Sequence, residues 1–464
     1  MAEGQDISRG EFERLDRSPV DRQVDRQWEA RAGVVTPLDR MLVRLALARL
    51  GDPGCAVVLW DGDELSPPRT PVRFRVTVKS RRALLGLCWD AASRFGDLYG
   101  KREVEVEGDL ANAMAEVNRS LTARQAGFFD RLRRSSLPPL WERYARAEDA
   151  ARVRHHYDLG NDFYRLWLDR DTMQYTCAYY PEPGLCLEEA QRAKAHYLCR
   201  KLRLRPGETV VEAGCGFGGL AFLMARHYGV KVTAYNVSQE QLDYARTRLE
   251  EEGLETQVTF IEDDYRNIRG RYDAFVSIGM LEHVGKHRYA ALGDVIGRCL
   301  APNGRGLIQC IGRNAPVPMN GWTQRHIFPG AYPPSLRELL EVFEPHGFSI
   351  LDVENLRPHY VKTLHDWLSR YEIHAEAVQG RYGEVFMRTW LLYLSASLAA
   401  FETGWLQLFQ VLFSRPGNND LPASRGHLYE NGPVPGPPVS GVAVSTPGPR
   451  VVEDALGRAR AAPH

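Results

Sequence analysis

Val210-Val211-Glu212-Ala213-Gly214-Cys215-Gly216-Phe217-Gly218-Gly219-Leu220-Ala221-Phe222-Leu223-Met224 carries an apolar strand through a glycine-rich turn into a helical run. An α/β sheet brings its backbone against a nucleoside cofactor in this way. Glycines leave room for close approach and accept positive φ. No Lys-Ser/Thr pair follows them, so a triphosphate is a poor match. Glu212, two residues before Gly214, is placed to meet a cation. S-adenosylmethionine, a sulfonium with an α-amino group and no phosphates, fits that pattern. A tight strand-to-helix turn without a ligand is the alternative.

Outward from this loop the rhythm is strand, helix, strand. Strands are expected at Thr209-Ala213, Lys231-Tyr235, Val258-Ile261, Ala274-Ile278 and Gly306-Ile311, with helices ending at Tyr228, starting at Gln239 and lying near Arg288-Leu300. Such alternation predicts a mostly parallel sheet covered on both faces, with ligands beyond the carboxyl ends of its strands. Polar residues cluster at those ends. Asn236 to Gln241 follows the second strand and offers partners for ribose hydroxyls, although Ser238 is also a good helix N-cap. Asp264-Tyr265 follows the third and can offer an acceptor and an apolar face to adenine. Glu282-His283 follows the fourth. Tyr175-Thr176-Cys177-Ala178-Tyr179 precedes the first.

The chain is 464 residues long, with 59 basic and 59 acidic side chains, so it can bury a large core and global charge selects no partner. Eight scattered cysteines without a CxxC pair suggest reduced thiols in a cytoplasm and no metal site. The charged N-terminus lacks an apolar signal core, so export is not expected. The apolar stretch from 390 to 413 contains Glu402, Gln407 and Gln410, polar groups that a bilayer span would carry at high cost, and reads as buried core.

Residues 1–33 read as a charged arm. From Thr36-Pro37 to Gly51, Leu38, Met41, Leu42, Leu45 and Leu50 recur at helical spacing beside Arg40, Arg44 and Arg49, which suits a helix packed on its own domain or one lying on a membrane. Alternating stretches at Val57-Trp60, Val72-Lys79 and Glu103-Glu107 complete a small α+β domain over 34–120. Between 122 and 156 stand eight arginines and four acids, beside Phe128, Phe129, Trp141 and Tyr144. This linker, bounded at 121–156, is a solvated helix or an adsorption surface for anionic headgroups, where each charge contributes on the order of 1 kcal/mol. It carries no nucleic-acid motif. A catalytic domain over 157–430 and a disordered Pro- and Gly-rich tail over 431–464 follow.

Longer motifs then converge. His155-His156-Tyr157-Asp158-Leu159-Gly160-Asn161-Asp162-Phe163-Tyr164, Tyr175 to Tyr179, the glycine loop, Ser277-Ile278-Gly279-Met280-Leu281-Glu282-His283-Val284-Gly285, Ile327-Phe328-Pro329-Gly330 and Pro358-His359-Tyr360 together resemble the cyclopropane fatty acid synthase family, including the mycolic acid cyclopropane synthases. The resemblance runs in order from about 120 to 415. Phe95-Leu98 and Glu105-Val106-Glu107-Gly108-Asp109-Leu110 also resemble the small N-terminal domain of the phospholipid enzymes.

The resemblance implies a Rossmann-like methyltransferase fold with a small α+β N-terminal domain, and alkylation of a cis double bond in a phospholipid acyl chain. S-adenosylmethionine is expected against Tyr175, Thr176, Glu212, Gly214, Cys215, Gly216, Gly218, Asn236, Ser238, Gln241, Asp264 and Tyr265. A bound bicarbonate, the implied base, is expected among Cys177, Glu282, Gln309, Ile311 and Tyr360. The resemblance further implies a homodimer and peripheral attachment to the inner membrane face. Read without it, Glu282 is a helix acid, Tyr360 a core residue and Cys177 a buried thiol.

The chain departs from the family pattern in places. Gln309 stands where the family carries histidine, in Leu307-Ile308-Gln309-Cys310-Ile311, and can donate a hydrogen bond but not titrate. Ser397 replaces a cysteine, Phe217 a tryptophan and Asn236 a threonine. The Gln309 exchange motivates a second expectation, a 10-methylene product from the same scaffold. A non-catalytic lipid-binding protein and an N- or O-methyltransferase for a polar substrate are the readings from other classes.

Overall fold

The computed structural model describes residues 33–67, 70–125 and 160–429. The arm to residue 32, the arginine-rich linker beyond 125, His155 to Asp158 and the tail after 429 lie outside the described residues.

The first unit opens with helix α1 (Pro37–Leu50), whose Thr36 and Asp39 form a reciprocal capping box and whose end at Gly51 has φ 86°. Arg81 holds the Asp39 carboxyl at 2.7 Å, fixing α1 to the start of α2 (Arg81–Gly100). Strands β1 (Cys55–Val58), β2 (Glu64–Leu65), β3 (Phe74–Val78) and β4 (Val104–Glu107) form a sheet of order β2-β1-β3-β4, with β1 and β3 parallel. Helix α3 (Leu110–Gln125) follows. On α1, Val43 and Leu47 are buried, while Leu38, Met41 and Leu45, at spacing i, i+3, i+7, face outward.

The second unit is a seven-stranded sheet of order β10-β11-β9-β8-β5-β6-β7. Its strands are β5 (Thr209–Ala213), β6 (Lys231–Asn236), β7 (Val258–Glu262), β8 (Tyr272–Ile278), β9 (Leu300–Gly312), β10 (Ser349–Asn355) and β11 (Gln407–Ser414). Strands β5 to β9 pair in parallel, and β11 runs against both its neighbours. This is the doubly wound arrangement that the alternation predicts. Neighbouring residues feed opposite faces: Val210 joins the core under α4 (Leu187–Leu202), α5 (Gly219–Tyr228) and α6 (Gln239–Glu252), and Val211 joins the core under α7 (Tyr289–Cys299). The strand order reverses at β5, beside β8, where such sheets hold ligands.

A third core caps the carboxyl edge of the sheet. Helices α8 (Arg357–Ile373) and α9 (Glu384–Glu402) enclose Phe163, Trp167, Trp367 and Trp390, with Phe163 and Trp390 edge to face at 4.8 Å. The first unit docks on α9. Arg388 pairs with Glu105 at 2.6 Å while its guanidinium lies 4.0 Å from the Tyr99 ring centre, and Arg119 reaches Glu402 at 2.6 Å. The apolar stretch from 390 to 413 therefore resolves into α9 and β11, both inside the fold.

Candidate active site

Two cavities lie beyond the carboxyl ends of β5, β6, β8 and β9. The first, of about 170 Å³, is formed by the glycine loop, the start of α6 and the Tyr175-Thr176 segment. Gly214, Gly216 and Gly218 have φ of 82°, 54° and 80°. The amides of Gly214 and Cys215 both donate to the Tyr235 carbonyl, at 2.9 and 3.0 Å, so the loop is pinned to β6. Asn236 ties it further: Nδ2 donates to the Gly216 carbonyl at 3.1 Å and to Gln241 Oε1 at 2.9 Å.

Glu212 and Lys194 sit behind this cavity, both buried. Burial pushes the Glu212 carboxyl up to about 8 and the Lys194 ammonium down to about 8, and each is tempered by the other's charge. Lys194 Nζ donates to Thr176 Oγ1 at 2.7 Å. Glu212 lines the cavity, and its buried Oε2 has no hydrogen-bond partner among the described residues. An orphaned buried carboxylate oxygen beside a loop of left-handed glycines fits a nucleoside ligand that brings its own cation.

The second cavity, about 1170 Å³, is walled by α3, α8 and α9, and its lining is mostly apolar. The two cavities share Tyr175, Thr176, Gly279 and His283. The Tyr175 and Tyr393 hydroxyls lie 2.7 Å apart at that junction. Glu282, on the helical turn Leu281–Val284, lines the large cavity; its Oε1 accepts the Ile311 amide at 2.5 Å, and burial pushes its carboxyl up to about 7. Tyr360 lines it too, with its ring 4.3 Å from that of Phe401.

The mycolic acid cyclopropane synthetase family model matches residues 144–411. The chain belongs to this family. It is a cyclopropane-synthase-type, S-adenosylmethionine-dependent C-methyltransferase. A probable fatty acid methyltransferase of Pseudomonas putida is 35% identical over 80% of this chain and 95% of its own length. The cyclopropane-fatty-acyl-phospholipid synthase of Escherichia coli K12 is 40% identical over 59% of this chain and 70% of its own. A cyclopropane synthase structure from Mycobacterium tuberculosis superposes with a TM-score of 0.54 at 28% identity, covering 57% of this chain and 98% of that one. A mycolic acid cyclopropane synthase crystallised with S-adenosylhomocysteine and CTAB gives 0.55 at 28%, covering 57% and 98%.

The small cavity gathers most of the residues expected at the cofactor. Tyr175, Thr176, Glu212, Gly214, Cys215, Gly216, Asn236, Gln241, Asp264 and Tyr265 all line it. Gly218 and Ser238 do not, and serve the scaffold instead. A Cβ on Gly218 would stand 2.6 Å from the Phe260 ring, and Ser238 caps α6 by accepting the Gln241 amide. Asp264 is engaged by Arg266, whose Nε and Nη2 each reach it at 2.8 Å.

The expected anion group separates. Glu282, Ile311 and Tyr360 meet in the large cavity, whereas Gln309 and Cys177 do not line it. Gln309 accepts from Gln410 Nε2 at 2.7 Å, and Gln410 in turn accepts from the buried Lys201 at 2.8 Å, so a polar network on the adjacent strand claims the side chain. The Cys177 thiol donates to the Ala178 carbonyl at 3.1 Å, and burial pushes it up to about 12. His283 was legible only as Glu282's neighbour. It lies at the junction, where burial lowers it to about 4 and keeps it neutral.

Proposed function

We propose that this methyltransferase alkylates a cis double bond within a phospholipid acyl chain and closes a cyclopropane ring. One observation carries the reading: the cofactor cavity joins a larger, mostly apolar cavity at Tyr175, Thr176, Gly279 and His283. A polar substrate has no use for such a space, which exceeds the roughly 300–1,000 Å³ of common small-ligand pockets. When bound, the cofactor supplies an electrophilic methyl group. An alkene is a weak nucleophile, so this chain must contribute alignment and exclusion of the water that traps a carbocation. The ring faces of Tyr175, Tyr360 and Phe328 suit that cation without reacting with it.

Proton removal falls to the Glu282 corner. In our reading Glu282 and Tyr360 would hold a bicarbonate, Glu282 accepting its hydroxyl, and the anion would supply the base for proton removal. Because Glu282 already occupies the Ile311 amide, a second reading has ionised Glu282 take the proton itself. Turnover that persists after bicarbonate is stripped favours the second, and turnover restored by bicarbonate favours the first.

The 10-methylene or methyl-branched outcome remains the alternative product. It is favoured by Gln309, which is held away from the cavity and cannot titrate there, and by relatives named fatty acid methyltransferase. Peripheral attachment to a membrane surface is part of the proposal. Leu38, Met41, Leu45 and Trp89 are exposed, Trp89 at 89%, close in sequence to Arg44, Arg49 and Arg82. No helix among the described residues is long and apolar enough to cross a membrane. The test is release of S-adenosylhomocysteine with cis-unsaturated phospholipid vesicles. Activity only on small polar amines or hydroxyls contradicts it.

A further inference from the structure

The large cavity carries two guanidinium groups that the chemistry above leaves unused. Arg313, two residues beyond Ile311, gives Nη1 to the carbonyls of Val317 at 2.7 Å and Pro318 at 3.0 Å, and Nη2 to Met319 Sδ at 3.8 Å. Arg357, the first residue of α8, gives Nη1 to the carbonyls of Phe401 at 2.9 Å and Glu402 at 3.2 Å. Both line the cavity. Gly404 touches both segments: Asn314, next to Arg313, donates to its carbonyl at 3.3 Å, and Arg357 Nη1 lies 3.3 Å from the position a Cβ there would take.

Among the described residues neither guanidinium forms an ion pair. Their partners there are backbone carbonyls and one sulfur, all neutral. A cation withdrawn from water without a counter-ion is costly, and burial lowers the Arg313 pKa accordingly. Arg357 is also of the wrong sign for its place. It opens a 17-residue helix, at the end where the peptide dipoles favour an anion, and the acceptor there is the neutral Asn355 Oδ1, which takes the Arg357 amide at 3.1 Å. The same helix end turns Tyr360 and Leu364 into the cavity, so the cationic corner and the apolar wall are continuous.

We infer that Arg313 and Arg357 form a phosphodiester subsite that seats the headgroup phosphate of the phospholipid whose acyl chain occupies the cavity. This rests on the lipid substrate proposed above and goes beyond it by naming what selects a phospholipid over a neutral lipid. Guanidiniums present the fork of N–H donors that phosphate oxygens prefer, and both line the same cavity. Asn118, from α3, lines the same cavity and carries an amide donor suited to the ester region. The small N-terminal unit thus contributes to the substrate's polar end.

The experiment measures binding, independent of turnover. The full chain is equilibrated with nonionic micelles containing either dioleoylphosphatidylglycerol or dioleoylglycerol, and bound lipid is quantified. The wild type is expected to prefer the phosphate-bearing lipid at least 10-fold. Arg313→Gln and Arg357→Gln each lower that preference at least 5-fold, the double variant removes it, and Arg313→Lys, which keeps the charge, retains part of it. An unchanged thermal midpoint establishes folding. Unchanged preference, or equal loss of both lipids, overturns the subsite. Inorganic phosphate and glycerol 3-phosphate serve as competitors: if either binds as tightly as the lipid, the site serves free phosphate and the lipid source is wrong. If the preference follows the arginines but no acyl chain is alkylated, the proposed reaction fails and the subsite stands.

Discussion

Glu282 lines the large cavity; its Oε1 accepts the Ile311 amide at 2.5 Å, while Oε2 of the same carboxyl is buried and has no hydrogen-bond partner among the described residues. One oxygen anchors the side chain to β9, and the other is left without a donor among the described residues. Such an arrangement costs stability and is retained at sites that use it.

A pH dependence follows. The Glu282 carboxyl stands at about 7 in the native protein against an ordinary 4.5, so between those values the folded state keeps a proton that the unfolded chain has released. Its contribution to stability is full below 4.5 and is lost as pH rises toward about 7, by up to about 3 kcal/mol. Denaturant titrations should show this fall in wild type and lose it in Glu282→Gln. Turnover should run the opposite way, rising through pH 7 as the carboxylate forms, and should drop at least 100-fold in Glu282→Gln without loss of cofactor affinity.

Gly216 and Gly218 should separate ligand binding from folding. Both have positive φ, but a Cβ on Gly216 meets nothing within 4 Å, whereas one on Gly218 meets Phe260 at 2.6 Å. Gly218→Ala is expected to destabilise by about 2–4 kcal/mol, through strain and overpacking. Gly216→Ala should cost about 1 kcal/mol of stability and yet weaken S-adenosylhomocysteine binding at least 10-fold, because its methyl opens into the cofactor cavity. Calorimetry of melting and of binding checks both.

The Lys194–Glu212 pair should tune the cofactor site from behind. Replacing Lys194 with Met leaves Glu212 buried without its cation and frees the Thr176 hydroxyl that Lys194 holds at 2.7 Å. Cofactor affinity in that variant should fall at least 10-fold. Glu212→Gln should weaken cofactor binding by a similar factor, and the double variant should lose less than the product of the two singles.

Much of this was legible in the glycine loop, because a strand, three positive-φ glycines and an apolar helix leave few other solutions. The parallel strands announced themselves by alternating with helices. Strand β11 was hidden for a physical reason: nearly every residue of Gln407–Ser414 is buried, so no alternation marks it, and it continues an apolar helix after a short turn. The bond between Gln309 and Gln410 could not be read locally, because Gln410 lies 101 residues away on a strand that local pattern does not reveal. The outward row of Leu38, Met41 and Leu45 had a helical period, but period alone does not say which face is covered.

That exposed row gives a prediction at the membrane. Trp89→Ala combined with Met41→Ser should lower partition onto anionic vesicles at least 10-fold, with the melting temperature unchanged. Raising salt should weaken wild-type binding further. Equal binding to neutral vesicles in high salt contradicts the electrostatic part.

The most direct measurement is NMR of the lipid recovered after incubating the protein with dioleoyl phospholipid, bicarbonate and cofactor labelled with ¹³C in the methyl group. The account predicts that the label enters the acyl chain as high-field cyclopropyl signals, and that Glu282→Gln abolishes them. Vinylidene signals select the methylene product. Label appearing only on nitrogen or oxygen, or none reaching the acyl chain, contradicts the account.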